Sequence, residues 1–372
     1  MATRATNDPS IDSVDVRVYV VPTDAPEADG TISWDSTTMV LVRARSGDTV
    51  GTGWSYAPRA CAEVISHTLT PRLIGGNALD VTGHFDTMVK TVRNDGRQGA
   101  VGYAISAVDT ALWDLKARLL GVPLFRLLGA VHSDVPVYGS GGFTTYSTQQ
   151  LADQLGGWVH GQQIPRVKIK IGQAWGQDTD RDLERISQAR EIIGPDAELF
   201  VDANGAYTRK QSIRVLKRAR DDDVHWFEEP VSSDDLDGLR EVRDAVDADV
   251  AAGEYGSDVT YFRRMCQAQA VDCLQADATR CGGITEWMRA AAVAASFGFQ
   301  VSAHCAPHIH AHVAAAVMNL RHIEWFHDHV RIEDMFFDGT LDPQGGVITP
   351  DPYAPGNGLT LRGPDAEPYR VR

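Results

Sequence analysis

Three carboxylates recur one supersecondary unit apart, each directly behind a short apolar run. Asp202 follows Leu199-Phe200-Val201, Glu228 follows His225-Trp226-Phe227, and Glu254 follows Val250-Ala251-Ala252-Gly253. Both intervals, 202 to 228 and 228 to 254, are 26 residues. Brought to one place, such groups repel unless a cation sits among them. An all-oxygen set favours a hard ion, Mg²⁺ with Mn²⁺ as a substitute. The series continues with Asp277, His304 and Glu324, again one per unit. A carboxylate beside an imidazole fixes its tautomer and raises its proton affinity, so Asp277 and His304 read as a dyad. Upstream, Lys168 and Lys170 lie two apart in Arg166-Val167-Lys168-Ile169-Lys170-Ile171 and share one side of a strand. A lysine beside a second ammonium and a bound cation has its charged form disfavoured, which suits it to act as a base. Singly, each of these residues reads as a cap or a solvated loop position; the succession is the signal.

The elements that must position them follow from the apolar pattern. Short apolar runs alternate with helical stretches from Val135 onward, the grammar of repeated βα units. Strands are expected at Val135–Tyr138, Arg166–Ile171, Leu199–Val201, His225–Phe227, Val250–Ala252, Cys273–Ala276, Phe299–Ala303 and His322–Glu324. Eight parallel strands fit a TIM-type barrel, whose strand C-termini open onto one face and bring the polar series to one mouth. The front of the chain differs. Val16, Val18 and Val20, then Met39 and Leu41, alternate as strands, and Ile105, Val108, Leu112, Leu115 and Leu119 recur at helical spacing. The gap Thr23–Asp35 reads as a lid or binding loop, and Gly51–Tyr56 as a Gly-rich turn. These features give an α+β unit over 1–132, a barrel over 133–341, and a Pro- and Gly-rich tail over 342–372 that runs back over the first unit.

Composition narrows the classes. At 372 residues, 43% hydrophobic and 23% charged, the chain is neither disordered nor fibrous. A net charge of −15 disfavours nucleic acid as a partner. No window approaches a membrane span, and residues 1–9 lack an apolar signal region. Five cysteines without a CxxC pair point to free thiols in a reducing, cytoplasmic compartment. An acidic protein acting on anions needs local cations, here a metal ion and the paired lysines.

With these residues in view, the chain resembles the enolase superfamily, in its mandelate racemase-like subgroup. Ala104–Lys116 resembles the helix that closes the capping domain, and Lys168-Ile169-Lys170 the Lys-x-Lys signature. Val201-Asp202-Ala203-Asn204, Phe227-Glu228-Glu229-Pro230 and Gly253-Glu254 resemble the three Mg²⁺-ligand motifs. Asp277–Thr285 and Ser302-Ala303-His304 resemble the segments of the Asp–His dyad. The resemblance implies a modified TIM barrel, (β/α)7β, under an N-terminal α+β capping domain. It implies one Mg²⁺ per subunit on Asp202, Glu228 and Glu254, and a homo-oligomer. It also implies abstraction of the proton α to a carboxylate to give an enediolate, with Lys170 as base, Lys168 as its positive neighbour and a protonated Glu324 donating to the substrate. Dehydration of an aldonate or aldarate to a 2-keto-3-deoxy acid is the expected outcome, with His304 protonating the departing hydroxide. The alternative is racemisation or epimerisation of a 2-hydroxy acid between Lys170 and His304. The substrate is then a small anionic carboxylate.

Contacts to the distal part of that substrate are sought among Trp34, Trp54, Tyr56, Arg59, Arg97, Asn204 and Arg280. A zinc hydrolase using His308 and His310 is a distant rival, because the first barrel strand, Val135-Pro136-Val137-Tyr138, carries no histidine. His308, His310 and His312 read instead as loop and helix-start residues. A non-catalytic relative would be expected to have lost a member of the polar series, and none is missing.

Overall fold

The structure is a computed structural model that describes residues 8–371; most of the N-terminal segment read as free of a leader lies outside these. Ser13–Ala28 (β1), Ser33–Ser46 (β2) and Thr49–Tyr56 (β3) form an antiparallel sheet in that order. The long helix Ala100–Leu119 packs across it. Two sequence expectations change here. The segment 23–35 is mostly strand, and only Asp29–Ile32 turns. β1 carries extra residues between Pro22 and Glu27, so this hairpin is bulged rather than open. Gly51–Tyr56 is likewise strand, not turn. Its glycines serve helix packing: a Cβ on Gly53 would lie 2.4 Å from the Ala111 nitrogen and 2.5 Å from the Ala107 oxygen. Small residues on both partners let sheet and helix backbones touch.

The barrel strands are Val135–Gly141 (β4), Arg166–Lys170 (β5), Glu198–Asp202 (β6), Val224–Glu228 (β7), Asp249–Ala252 (β8), Cys273–Ala276 (β9), Gln300–Ala303 (β10) and Leu320–Phe326 (β11). They are parallel in chain order, and β11 pairs with β4 to close the ring. Helices fill the seven connections, so the expected (β/α)7β barrel under an α+β cap is the fold. The strands read near-continuously apolar on the helix-facing side, with Val167, Ile169, Leu199, Val201 and Phe227 all buried. Inward, Tyr138, Phe200, Trp226, Ala251 and Cys273 form a separate apolar plug. Two residues further along, the inward positions Ser140, Asp202, Glu228 and Gln275 are polar, which places the charge one layer above the plug.

The capping unit is bonded to the loop that follows β9. The Thr285 backbone nitrogen and hydroxyl donate to Asp109 (2.9 and 2.7 Å), and the Gly282 nitrogen donates to Ser106 Oγ (2.8 Å). The Ser55 hydroxyl lies 2.8 Å from the Thr279 carbonyl oxygen. Beyond the barrel, the Asn357 nitrogen donates to Asp114 and the Val371 nitrogen to the Val18 carbonyl. The helix after β11, His327–Phe336, offers Glu333 to Trp54 and Tyr56 of β3. All five cysteines are buried and unpaired. Among the described residues no helix is long and apolar enough to cross a membrane.

Asp109 is fully enclosed, and burial pushes its carboxyl up to about 7 against the bonds from Thr285. An unfolded chain ionises this group near pH 4. Between about pH 4 and 7 the unfolded state therefore loses a proton that the folded state keeps, and this group's contribution to stability falls as pH rises. In urea unfolding across that window, wild type should lose stability relative to Asp109→Asn, with the difference levelling above pH 7. Parallel profiles would contradict this account of the interface.

Candidate active site

Each polar residue of the series stands at the mouth because its strand ends there. Asp202 and Glu228 are the last residues of β6 and β7, and the register sets Lys170 beside Asp202 and Asp202 beside Glu228. Glu254 follows β8 through Gly253, whose φ is +134° and whose added Cβ would lie 2.1 Å from the Gln275 oxygen. Only glycine brings the chain past β9 and delivers Glu254 inward. Asp277 and His304 directly follow β9 and β10, while Glu324 lies within β11. Lys168, Lys170, Asp202, Glu228, Glu254, Asp277, His304 and Glu324 are all buried.

These side chains form one connected network. Lys170 Nζ donates to Asp202 Oδ2 at 2.5 Å. Lys168 Nζ donates to Glu228 Oε1 at 2.6 Å and lies 2.8 Å from Glu324 Oε1. Across the mouth, His304 Nδ1 is 2.7 Å from Asp277 Oδ2, and its Nε2 is 3.4 Å from Glu254 Oε2. Lys170 and His304 sit on well-separated strands, with β11 and β4 between them on one side and β6 to β9 on the other.

One oxygen from each of Asp202, Glu228 and Glu254 lies within 4.8 Å of the others. The Asn204 nitrogen donates to Asp202 Oδ1 and Trp226 Nε1 donates to Glu228 Oε2, fixing both carboxylates. Glu254 Oε2 is buried without a hydrogen-bond donor. Three carboxylates with an orphaned oxygen among them fit a hard divalent cation.

The electrostatics depart from two sequence expectations. Burial disfavours the charged form of Lys170, but the Asp202 carboxylate outweighs it and holds the ammonium above its ordinary range. Lys168 is held protonated in the same way by Glu228 and Glu324. Mutual repulsion of the lysines therefore does not dominate, because each has its own carboxylate. Glu324 was expected as a proton donor. Burial raises its pKa, yet Lys168 and His304 pull it well below the carboxylate range. It accepts from Ser140 Oγ at 2.6 Å and from the Cys305 nitrogen at 2.8 Å, so it stands as an ionised acceptor. Burial likewise opposes charge on His304, but Glu254 and the bond to Asp277 raise its proton affinity. Glu254 itself is brought to about 2: burial would raise it, and His304 with Arg280 more than offsets that.

The residues sought as distal contacts scatter. Arg280 is at the site but spans Glu254 (2.9 Å) and Asp277 (3.5 Å). Asn204 has a positive φ of 46° and lines a cavity of about 390 Å³ with Tyr103, Trp175, Glu229 and Tyr255. Trp34 donates to Glu27 and packs edge-on against Phe143 near Cys305. Trp54 is core, stacked on Phe337. Tyr56 stacks on His329 and bonds Glu333. Arg97 pairs with Asp258 and Glu286, and Arg59 is exposed where the helix Ala60–Glu63 begins. The three further histidines are structural: His308 bonds Glu333 and accepts from the Leu341 nitrogen, His310 accepts from the Ala278 nitrogen, and His312 meets the Asn357 oxygen.

Sequence reasoning missed Ser140, although it occupies the β4 position of the same polar series. It also passed over Glu229, which is buried with Oε1 unpartnered; the doublet Glu228-Glu229 was its only signal. Cys305, with Sγ 3.2 Å from His304 Nε2, carried none.

Comparison with known proteins agrees with this architecture. A family profile for the mandelate racemase / muconate lactonizing enzyme N-terminal domain matches residues 13–129, and one described as enolase C-terminal domain-like matches residues 150–366. The chain is 31% identical over 309 residues to L-talarate/galactarate dehydratase of Salmonella typhimurium LT2, covering 80% of this chain and 76% of that protein. The crystal structure of that enzyme liganded with Mg and L-lyxarohydroxamate superimposes with a TM-score of 0.89 at 26% identity, over 100% of this chain and 95% of that one. D-galactarolactone cycloisomerase of Agrobacterium fabrum C58 is 30% identical over 347 residues, covering 90% of this chain and 89% of its own. A mandelate racemase/muconate lactonizing enzyme-like protein from Rubrobacter xylanophilus has a TM-score of 0.94 at 46% identity, over 98% of this chain and 100% of that one. Both halves of the fold and the whole polar series thus have one explanation: the chain belongs to the mandelate racemase-like subgroup of the enolase superfamily.

Proposed function

We propose that the chain is a Mg²⁺-dependent hydro-lyase that removes the proton α to the carboxylate of an acid sugar and expels the β-hydroxyl to leave a 2-keto-3-deoxy acid. The observation that carries this reading is the opposition of Lys170 to the His304–Asp277 dyad across three convergent carboxylates. Asp202, Glu228 and Glu254 would hold the cation. Bound there, Mg²⁺ offsets the second negative charge that develops on the substrate carboxylate when its α-proton leaves.

Lys170 receives that proton. Its affinity is set by a contest in which Asp202 favours the ammonium while burial and Lys168 favour the amine. Whatever draws charge from Asp202 tips Lys170 towards the base. Lys168 keeps a positive charge next to the developing enediolate, tethered by Glu228 and Glu324. Glu324, an acceptor in this network, positions Lys168 and the Cys305 backbone rather than donating a proton. On the opposite side, Glu254 and Asp277 raise the proton affinity of His304, and its Nε2 gives the proton with which hydroxide departs as water. Asp277 holds the imidazole by Nδ1, so that Nε2 is the atom offered. The acid-sugar dehydratases among the relatives support this class of substrate.

Two measurements test the reading. Calorimetry should show Mg²⁺ binding to the chelator-treated protein. Glu254→Gln should weaken it by more than the roughly 10–100-fold that loss of an outer-shell partner costs. Unchanged affinity would remove Glu254 from the cation site. In D₂O with Mg²⁺, a panel of aldonates and aldarates followed by ¹H NMR should yield a deuterated 3-deoxy product from at least one member. Loss of the α-proton signal without a new product would replace dehydration by racemisation or epimerisation.

A further inference from the structure

The bulge between Pro22 and Glu27 carries Asp24 and Glu27 to His327, the residue that follows β11. One ligand atom from each of Asp24, Glu27 and His327 lies within 4.8 Å of the others. His327 Nε2 stands 3.0 Å from Asp24 Oδ2. Glu27 is 0% exposed, and its two oxygens are used unequally. Oε2 accepts from Trp34 Nε1 at 2.7 Å, while Oε1 is buried with no partner. A buried carboxylate oxygen in this condition is costly unless something positive reaches it. Arg331, a cation whose charge reaches Glu27, spends Nη2 on the Asp328 carboxylate and the Pro22 carbonyl, and its Nε, like Glu27 Oε1, has no hydrogen-bond partner. Asp328, also buried, adds to the local negative charge, and burial together with Asp328 pushes the Glu27 carboxyl up to about 8.

We infer that Asp24, Glu27 and His327 form a second cation site, for a divalent transition ion such as Zn²⁺, that ties the β1–β2 hairpin of the capping unit to the end of β11. The donor set distinguishes it from the carboxylate-only site: one imidazole nitrogen with two carboxylates suits a borderline ion better than Mg²⁺. An entry path exists, because Asp24 and His327 line an open groove of about 570 Å³ with Tyr146, Gln150 and Trp158. The site stands apart from the reaction centre, with the aromatic cluster of Phe143, Tyr146, Phe326 and Trp34 next to it and Cys305 in that same cluster. The bond from Trp34 to Glu27 links the proposed ligand to this wall. Occupancy would therefore fix the hairpin over the mouth without supplying a group to the chemistry.

Zinc binding should be measured by equilibrium dialysis on the full chain under saturating Mg²⁺, in a Glu254→Gln background that weakens the carboxylate site. One Zn²⁺ per chain is expected to remain. Adding Asp24→Asn with His327→Gln should weaken its binding at least about tenfold. Zn²⁺ should also change tryptophan emission, and Trp34→Phe should abolish that change. Equal zinc stoichiometry and affinity with and without the Asp24 and His327 substitutions would overturn the proposal. So would a zinc response that survives in Trp34→Phe while the substitutions leave affinity intact. Circular dichroism of the doubly substituted protein separates loss of the site from loss of the fold, since both residues are partly exposed.

Discussion

The structure depends on keeping many charges buried at one end of a barrel. Asp202, Glu228, Glu229, Glu254, Asp277 and Glu324 face Lys168, Lys170, Arg280 and His304 with almost no exposure for the carboxylates. Charges taken out of water are tolerable only when each is paired and hydrogen-bonded. Here every lysine has its own carboxylate, Arg280 spans two, and the imidazole is held between Asp277 and Glu254. The acids outnumber the bases, and the surplus gathers where Glu254 Oε2 is left without a donor. That imbalance gives the site its affinity for a cation and sets the proton affinities of the groups that would do the chemistry.

The rest of the fold serves this arrangement. The apolar plug of Tyr138, Phe200 and Trp226 closes the barrel beneath the charges, and the Tyr138 ring lies under Lys168 at 5.2 Å. Above them the capping unit is bonded through Ser106 and Asp109 to the loop that carries Arg280. Cap and barrel are thus coupled at the same loop that steadies Glu254 and Asp277. A displacement of the cap would act on a member of the charge network itself, not only on access to the mouth.

Much of this was legible in the sequence because it rests on periodicity. Seven of the eight barrel strands carry or directly precede Lys168, Asp202, Glu228, Glu254, Asp277, His304 and Glu324, and a barrel converts that linear period into convergence. The capping unit was harder to read. Gly51 and Gly53 looked like a turn because glycine serves equally for a bend and for close helix packing, and only the partner Ala107 and Ala111 decide between them. Residues 23–28 looked like a loop because Pro26 and the acidic side chains mask a bulged strand. Protonation was least legible. The low pKa of Glu324 follows from Lys168 and His304, which come from different strands. Arg59 and Arg97 show the converse: residue type suggested a substrate grip, and only position reveals an exposed helix start and an interdomain ion pair.

The claim that Lys170 takes the α-proton while His304, across the mouth, protonates the departing β-hydroxyl is tested most directly by substrate α-proton exchange in D₂O with the His304→Asn protein. The account predicts that His304→Asn still exchanges the α-proton through Lys170 while forming no dehydrated product, and that Lys170→Ala does neither. Full dehydration by His304→Asn, or exchange that persists in Lys170→Ala, would contradict it.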